Sequence, residues 1–172
     1  FDSSKETGNK TLQFKLINGL KNGTYEEWYD NGKPKTTGGY FNDDSTDSWT
    51  KWYESGQKQS EKKYKDGKND GLWIEWYESG QKQSEKKYKD GKNDGLWTKW
   101  YESGQKQSEK KYKDGVRDGL WIEWYENGQK EIESFFQDGK ERGLVTEWYE
   151  NGLKREERTF KQFITYTENG LN

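Results

Sequence analysis

The sequence predicts an all-β fold, an elongated array of tandem antiparallel β-hairpins, and three observations carry that expectation. Trp-Tyr pairs stand at Trp28, Trp52, Trp76, Trp100, Trp124 and Trp148, always 24 residues apart, and a constant period of that length marks a repeat array. The 22 residues from Trp52 to Trp73 recur unchanged from Trp76 to Trp97. Within each unit, runs rich in Trp, Tyr and Ile, residues that suit a pleated half-buried surface, alternate with glycine-bearing turn signals.

The first turn signal is Glu78-Ser79-Gly80-Gln81, replaced by Asn127-Gly128 and Asn151-Gly152 in later units. Asn-Gly between extended runs predicts a two-residue hairpin, whose central residues both take positive φ. With Ser79 and Gly80 at the centre, Tyr77 faces Lys82, Glu75 faces Ser84, Trp73 faces Lys86 and Gly71 faces Tyr88. Strands are expected near residues 71–77 and 82–88. The second signal, Asp90-Gly91 followed by Asp94-Gly95, reads as a connection of about seven residues between hairpins. Alternation puts Trp73, Tyr77 and Tyr88 on one face and Leu72, Ile74 and Trp76 on the other. The second face is the more aliphatic, so Trp52, Trp76, Trp100 and Trp124 are expected to be largely buried. A single hairpin cannot cover two aromatic faces, and stability is expected from stacking of neighbouring units. Six to seven units would make a twisted sheet on the order of 60–70 Å long.

In chain order, residues 1–10 read as a polar tail or linker and residues 11–172 as a single repeat domain. Leu12, Phe14 and Leu16 alternate ahead of Asn18-Gly19, which predicts a partial first unit acting as a cap. The stretch from Phe41 to Ser48 lacks both glycines and reads as an acidic solvated connection; its three aspartates match no calcium-loop spacing. Units from Thr50 to Gly115 are close to copies. Beyond them Val116-Arg117 replaces Lys-Asn, Ile132, Phe135 and Phe136 make a strand more apolar, and Val145 replaces the recurring Trp. The final unit is six residues short after Phe160, which places Tyr166 in the Trp slot and repeats the turn at Glu168-Asn169-Gly170. Terminal units that differ in this way are expected to be caps.

Composition narrows the function. Thirty Lys and Arg against 32 Asp and Glu leave a net charge of −2, and the two signs are interleaved. No basic stripe exists for nucleic acid or anionic lipid; the charges read as solubilising. Aromatic residues make up 17% of the chain and replace an aliphatic core. The chain contains no His and no Cys, which removes the commonest general base, the Cys and Ser nucleophile systems that need His, and thiolate metal sites. Glu75, Glu78 and Glu85 repeat in identical settings, whereas paired-carboxylate catalysis needs environments that differ. The expected molecule is therefore not an enzyme, holds no cofactor or metal, binds no nucleic acid and inserts no segment into a membrane. The sequence starts at Phe1 and has no Met, which reads as a processed or trimmed product. Secretion or display on a cell surface is favoured over a cytoplasmic location.

The pattern Gly-Leu-Trp-x-x-Trp-Tyr-Glu-x-Gly-Gln-Lys followed by Tyr-Lys-Asp-Gly-Lys-x-Asp-Gly resembles the MORN-repeat superfamily, in particular its bacterial variant with Trp-Tyr-Glu-Asn-Gly boxes. Trp124 to Gln129 and Tyr88 to Lys92 match as they stand, and the resemblance spans about Leu12 to Leu171. It implies arrays of antiparallel hairpins, protein interaction as the function, antitoxin-like roles in some bacterial relatives and links to membrane lipids in eukaryotic ones, with no catalytic residues. Trp/Tyr/Gly hairpin repeats also resemble choline- and glucan-binding modules of bacterial surface proteins. The expected partner is a protein, with a glycan or choline-type ligand as the alternative. The candidate binding residues are the ladder Trp49, Tyr53, Trp73, Tyr77, Trp97, Tyr101, Trp121 and Tyr125. Their rings would anchor apolar side chains, sugar rings or a cationic group.

Overall fold

The computed structural model describes residues 12–160; the expected tail at 1–10 and the shortened last unit after Phe160 lie outside them. The described chain forms one open sheet of 13 strands in sequential order. The first seven are β1 (Leu12–Ile17), β2 (Leu20–Trp28), β3 (Pro34–Phe41), β4 (Asp44–Trp52), β5 (Lys58–Lys65), β6 (Lys68–Trp76) and β7 (Lys82–Lys89). There follow β8 (Lys92–Trp100), β9 (Lys106–Lys113), β10 (Val116–Trp124), β11 (Lys130–Gln137), β12 (Lys140–Trp148) and β13 (Lys154–Phe160). Every neighbouring pair is antiparallel. At the usual strand spacing the sheet is roughly 60 Å long.

Two kinds of turn alternate along it. Lys65 pairs with Lys68 across Asp66-Gly67, and both central residues have positive φ, 50° and 70°. That is the two-residue type I′ turn, whose twist matches the flanking strands. The connection expected to be seven residues long is therefore a second tight hairpin, and the strands run longer than expected. The following Asp-Gly is not part of the turn. Three residues, Asp70 to Leu72, stand opposite Lys63 alone, so Gly71, at φ 92°, sits in a bulge that bends β6.

The other turn also differs from expectation. Tyr77 N–H donates to Gln81 O and Gly80 N–H to Tyr77 O, both at 2.9 Å, enclosing the three residues Glu78, Ser79 and Gly80. Only Gly80 has positive φ (88°), because a three-residue loop needs one left-handed position where the type I′ turn needs two. Tyr77 thus closes against Gln81, Trp76 pairs with Lys82, and an irregularity beside Gln83 restores the expected pairs Glu75–Ser84, Trp73–Lys86 and Gly71–Tyr88. The acidic stretch after Phe41 is likewise ordered. Asn42-Asp43 forms the tight turn, with φ of 50° and 69°, and Asp43 Oδ1 accepts from Lys21 N–H at 2.8 Å.

No second layer covers this sheet among the described residues, so the core is spread along it. Trp52, Trp76, Trp100 and Trp124 are half-buried rather than buried; Trp76 and Trp124 share their face with Leu and Ile, Trp100 with Leu96 and Thr98, and Trp52 with Ser48 and Thr50, and only neighbouring side chains shield them. The lysine ammonium Lys58 Nζ lies 5.7 Å from the Trp76 ring centre, and Lys82 and Lys106 repeat the contact on Trp100 and Trp124. Ion pairs Lys58–Glu61, Lys82–Glu85 and Lys106–Glu109 at 2.6–2.8 Å edge the same face. The row Leu72, Leu96, Leu120 and Leu144 remains 42–52% exposed. The described hydrophobic residues that are fully buried are Phe136 at 6% and Val145 at 0% exposure, located where the units diverge.

Candidate functional site

The opposite face carries an aromatic ladder. Cross-strand pairing sets each Trp beside two lysines: Trp73 opposes Lys62 and Lys86, and Trp97 opposes Lys86 and Lys110. Two residues further along each outer strand, on the same face, stands a Tyr or Phe, so rings from successive strands meet. Centroid distances run 5.9 Å for Tyr64–Trp73, 4.8 Å for Trp73–Tyr88, 6.2 Å for Tyr88–Trp97, 5.0 Å for Trp97–Tyr112, 5.6 Å for Tyr112–Trp121 and 4.8 Å for Trp121–Phe136. All are tilted or edge-on, as ring quadrupoles prefer. A separate cluster joins Tyr25, Tyr40 and Trp49 at 4.9–5.8 Å. Burial is the main influence on the Tyr64, Tyr88 and Tyr112 phenols and raises the pKa of each above 10.0.

The sequence-predicted residues fall into two rows. Trp73, Trp97 and Trp121 are rungs of the ladder, and Trp49 belongs to the separate cluster with Tyr25 and Tyr40. Tyr53, Tyr77, Tyr101 and Tyr125 stand on the same face but at the loop end, and each hydroxyl is used in the scaffold. Tyr77 Oη donates to Trp100 O in the next unit at 2.9 Å, and Tyr29, Tyr53, Tyr101 and Tyr125 make the same bond at 2.7–2.9 Å. The rings that alternate with Trp are instead Tyr40, Tyr64, Tyr88, Tyr112 and Phe136. Of these, parity marked only Tyr88 as sharing the Trp73 face; the others follow by adding or subtracting the 24-residue period, a step that would have found them.

Lysines treated as solubilising are part of the ladder. Lys62, Lys86 and Lys110 lie over Trp73, Trp97 and Trp121 at 4.3, 5.1 and 4.8 Å, where a ring face attracts a cation. Glu75 gathers two of them, Lys86 at 3.5 Å and Lys62 at 3.9 Å, and accepts a hydrogen bond from Ser84 Oγ at 2.7 Å. Burial alone would raise the Glu75 pKa; the Ser84 bond and the two ammoniums outweigh it and hold the carboxyl below 4.5. Lys62 is pulled below 10.5 by its burial, against the attraction of Glu75 and with the repulsion of Lys51 and Lys86. Glu123 takes Lys110 at 2.5 Å. At the first unit the lysine slot is Gly38, and a Cβ there would lie 2.2 Å from Trp49 Cδ2, so the indole rests on bare backbone.

Near the C-terminal end Arg117 stacks on Trp121 and Phe136, at 4.2 and 5.1 Å. Among the described residues no cluster of three or more carboxylates could hold a metal ion, and no helix is long and apolar enough to cross a membrane. What the face offers is a row of half-exposed rings spaced by cations and carboxylates, a surface suited to recognition.

No curated protein matches the sequence. The family model of the MORN repeat variant matches five segments, residues 21–43, 48–66, 69–90, 93–114 and 117–138. Each covers one hairpin as the structure draws it, such as β6, its three-residue loop and β7 for 69–90. The matches stop before Val145 takes the Trp slot. MORN repeats commonly serve in protein or membrane interaction. With five consecutive hairpins matched over more than half of its 172 residues, the chain belongs to the MORN repeat variant family.

Proposed function

We propose that the chain is a non-enzymatic protein-interaction module that engages its partner along the ladder face. Trp73, Trp97 and Trp121 supply the anchors, and Tyr53, Tyr77, Tyr101 and Tyr125 form the border that fixes the next unit. The carrying observation is the unbroken series from Tyr64 to Phe136 on a sheet face that no described segment covers. Near-identical units lay the same surface down repeatedly, and weak contacts multiplied this way gain avidity for a repeated or clustered partner. That fits adhesion or scaffolding at a bacterial surface better than one-to-one inhibition, whose contacts would concentrate at the divergent Val116-Arg117 or Glu141-Arg142.

Photo-crosslinking tests the face. A benzoyl-phenylalanine at Gln83, whose counterpart Lys35 reaches the ladder-face Glu27 at 2.6 Å, reports on the ladder face; one at Lys87 reports on the leucine face. The same partner should crosslink from position 83 and its equivalents Gln59 and Gln107; adducts from position 87 alone, or from neither, overturn the reading. Deleting residues 52–75 keeps the register while shortening the array, and binding should weaken in a graded way. Unchanged or all-or-none binding would instead favour a single-site partner.

A glycan is a second reading, favoured by one local feature. Beside Gly38 and Gly39, a wide groove of about 850 Å³ is lined by Tyr25, Tyr40 and Tyr64, next to a Trp49 that lacks the stacked lysine. Oligosaccharide should quench Trp49 emission there, and an unchanged spectrum would remove this alternative.

A further inference from the structure

Around Trp97 the ladder face departs from its neighbours. The repeat alternates Trp-Thr-Lys at 49–51 and 97–99 with Trp-Ile-Glu at 73–75 and 121–123. Glu75 thus puts a carboxylate between Lys62 and Lys86, and Glu123 puts one beside Lys110, whereas the equivalent residue beside Trp97 is Lys99. Pairing sets Lys99 between Ser84 and Ser108, one step from Trp97 between Lys86 and Lys110. Lys86, Lys99, Lys110, Ser108, Trp97 and Tyr112 line one small cavity of about 100 Å³. Lys86 and Lys110 have their carboxylates on the outer sides, Glu75 and Glu123; no described residue forms an ion pair with Lys99. The indole is also exceptional. Trp73 and Trp121 Nε1 donate to Lys63 O and Lys111 O at 3.4 and 3.2 Å, while Trp97 Nε1 is buried without a partner.

We propose that this cavity is an anion site taking a carboxylate side chain from an acidic segment of the partner protein. The molecule itself contains the recognition geometry: Glu75, held by Lys62, Lys86 and the Ser84 hydroxyl, shows how one carboxylate sits on this grid. At Lys99 the internal carboxylate is replaced by a third ammonium, so the group that would balance the lysines comes from outside. Lys62 shares Glu75 with Lys86, so four ammoniums, Lys62, Lys86, Lys99 and Lys110, face the two carboxylates Glu75 and Glu123, and the surplus positive charge lies at Lys99. The Lys51 unit does not repeat the site, because Gly38 stands where one of its lysines would be. The proposal rests on the ladder face being the partner face, but its test needs only the isolated chain.

The test titrates ¹⁵N-labelled full chain with capped hexaglutamate and follows the indole N–H signals, Trp97 being assigned by Trp97→Phe. The Trp97 signal should shift saturably, with an affinity that falls as salt rises. Lys99→Glu should weaken binding about tenfold or more, the loss of a charge-assisted contact, while Lys87→Glu on the opposite face should leave it unchanged. Glu75→Lys should add a second binding event seen at Trp73. No shift at Trp97, or a shift that survives Lys99→Glu, overturns the site. A response to inorganic phosphate or to anionic vesicles with none to hexaglutamate overturns the acidic protein segment as its occupant. A positive titration alongside crosslinks only from position 87 would leave the anion site standing and reject the ladder face as the partner surface.

Discussion

Replacing Tyr77 by Phe isolates the bond that ties one unit to the next. The ring stays, so the apolar contact is kept and only the Oη–Trp100 O hydrogen bond of 2.9 Å is lost. A half-buried neutral hydrogen bond contributes about 0.5–1.5 kcal/mol net, and the orphaned carbonyl keeps partial access to water, so about 1 kcal/mol is expected. The same bond occurs at Tyr29, Tyr53, Tyr101 and Tyr125, and separated sites add. Five Tyr→Phe changes together should then remove about 5 kcal/mol, a large part of a stability of roughly 5–15 kcal/mol. Array stability depends on interfaces between neighbours, so the fivefold variant should also lose cooperativity. Urea unfolding followed by Trp fluorescence and by far-ultraviolet circular dichroism reads both effects. A single-variant loss below about 0.3 kcal/mol would refute the inter-unit role. So would coincident, equally steep transitions in the fivefold variant.

Two further outcomes follow from burial. Phe136→Ala, at 6% exposure, should cost about 3–4 kcal/mol, whereas its neighbour Phe135→Ala, at 46%, should cost under about 1.5 kcal/mol in the same denaturation assay; equal losses would contradict the face assignment. Tyr64, Tyr88 and Tyr112 have folded pKa values raised above 10.0 by burial. The stability this gives is complete below the unfolded value and is lost as pH climbs through the folded ones. With no histidine in the chain, the midpoint should stay nearly flat from about pH 6 to 9 and fall above about 10; a decline centred near pH 7 would oppose this.

How much of this was legible depended on whether a feature was local and repeated. The period gave the all-β array, and side-chain alternation gave the pairs Trp73–Lys86, Glu75–Ser84 and Gly71–Tyr88. The two turns were read in reverse roles. Asp90-Gly91 supplies both positive-φ residues of a type I′ turn, whereas the other loop encloses three residues even where Asn precedes Gly, as at Asn127-Gly128, and there Gly128 alone takes positive φ. Reading the second signal as a long connection hid the pairing of β5 with β6, and with it the ladder partners Tyr64, Tyr112 and Phe136. The exposure of Trp76 was missed because burial was inferred from neighbours on the same strand. A sheet with nothing packed on it leaves such a residue half open. Lysine roles were invisible for a related reason: Lys86 reads as a solvated charge until pairing places it over Trp97 and beside Glu75.

Lys99→Glu carries a stability prediction that follows from the same alternation. Glu75 and Glu123 show that a carboxylate fits this slot, so the variant should fold, and it would place Glu between Lys86 and Lys110 in place of a third ammonium. Like-charge repulsion is removed and attraction added. Both act between partly exposed groups, where ion pairs contribute about 0.2–1 kcal/mol after solvent screening, so a gain of about 0.5–1 kcal/mol is expected. For a chain of this size that raises Tm by about 1–4 °C. The gain should shrink in 0.5 M NaCl, where screening shortens to about 4 Å. A wild-type lysine that a neighbouring unit's residue could replace with profit is the mark of a position kept for something other than the fold. If Lys99→Glu lowers Tm, or raises it equally at low and high salt, the lysine is part of the scaffold and the electrostatic account of the Trp97 cavity fails.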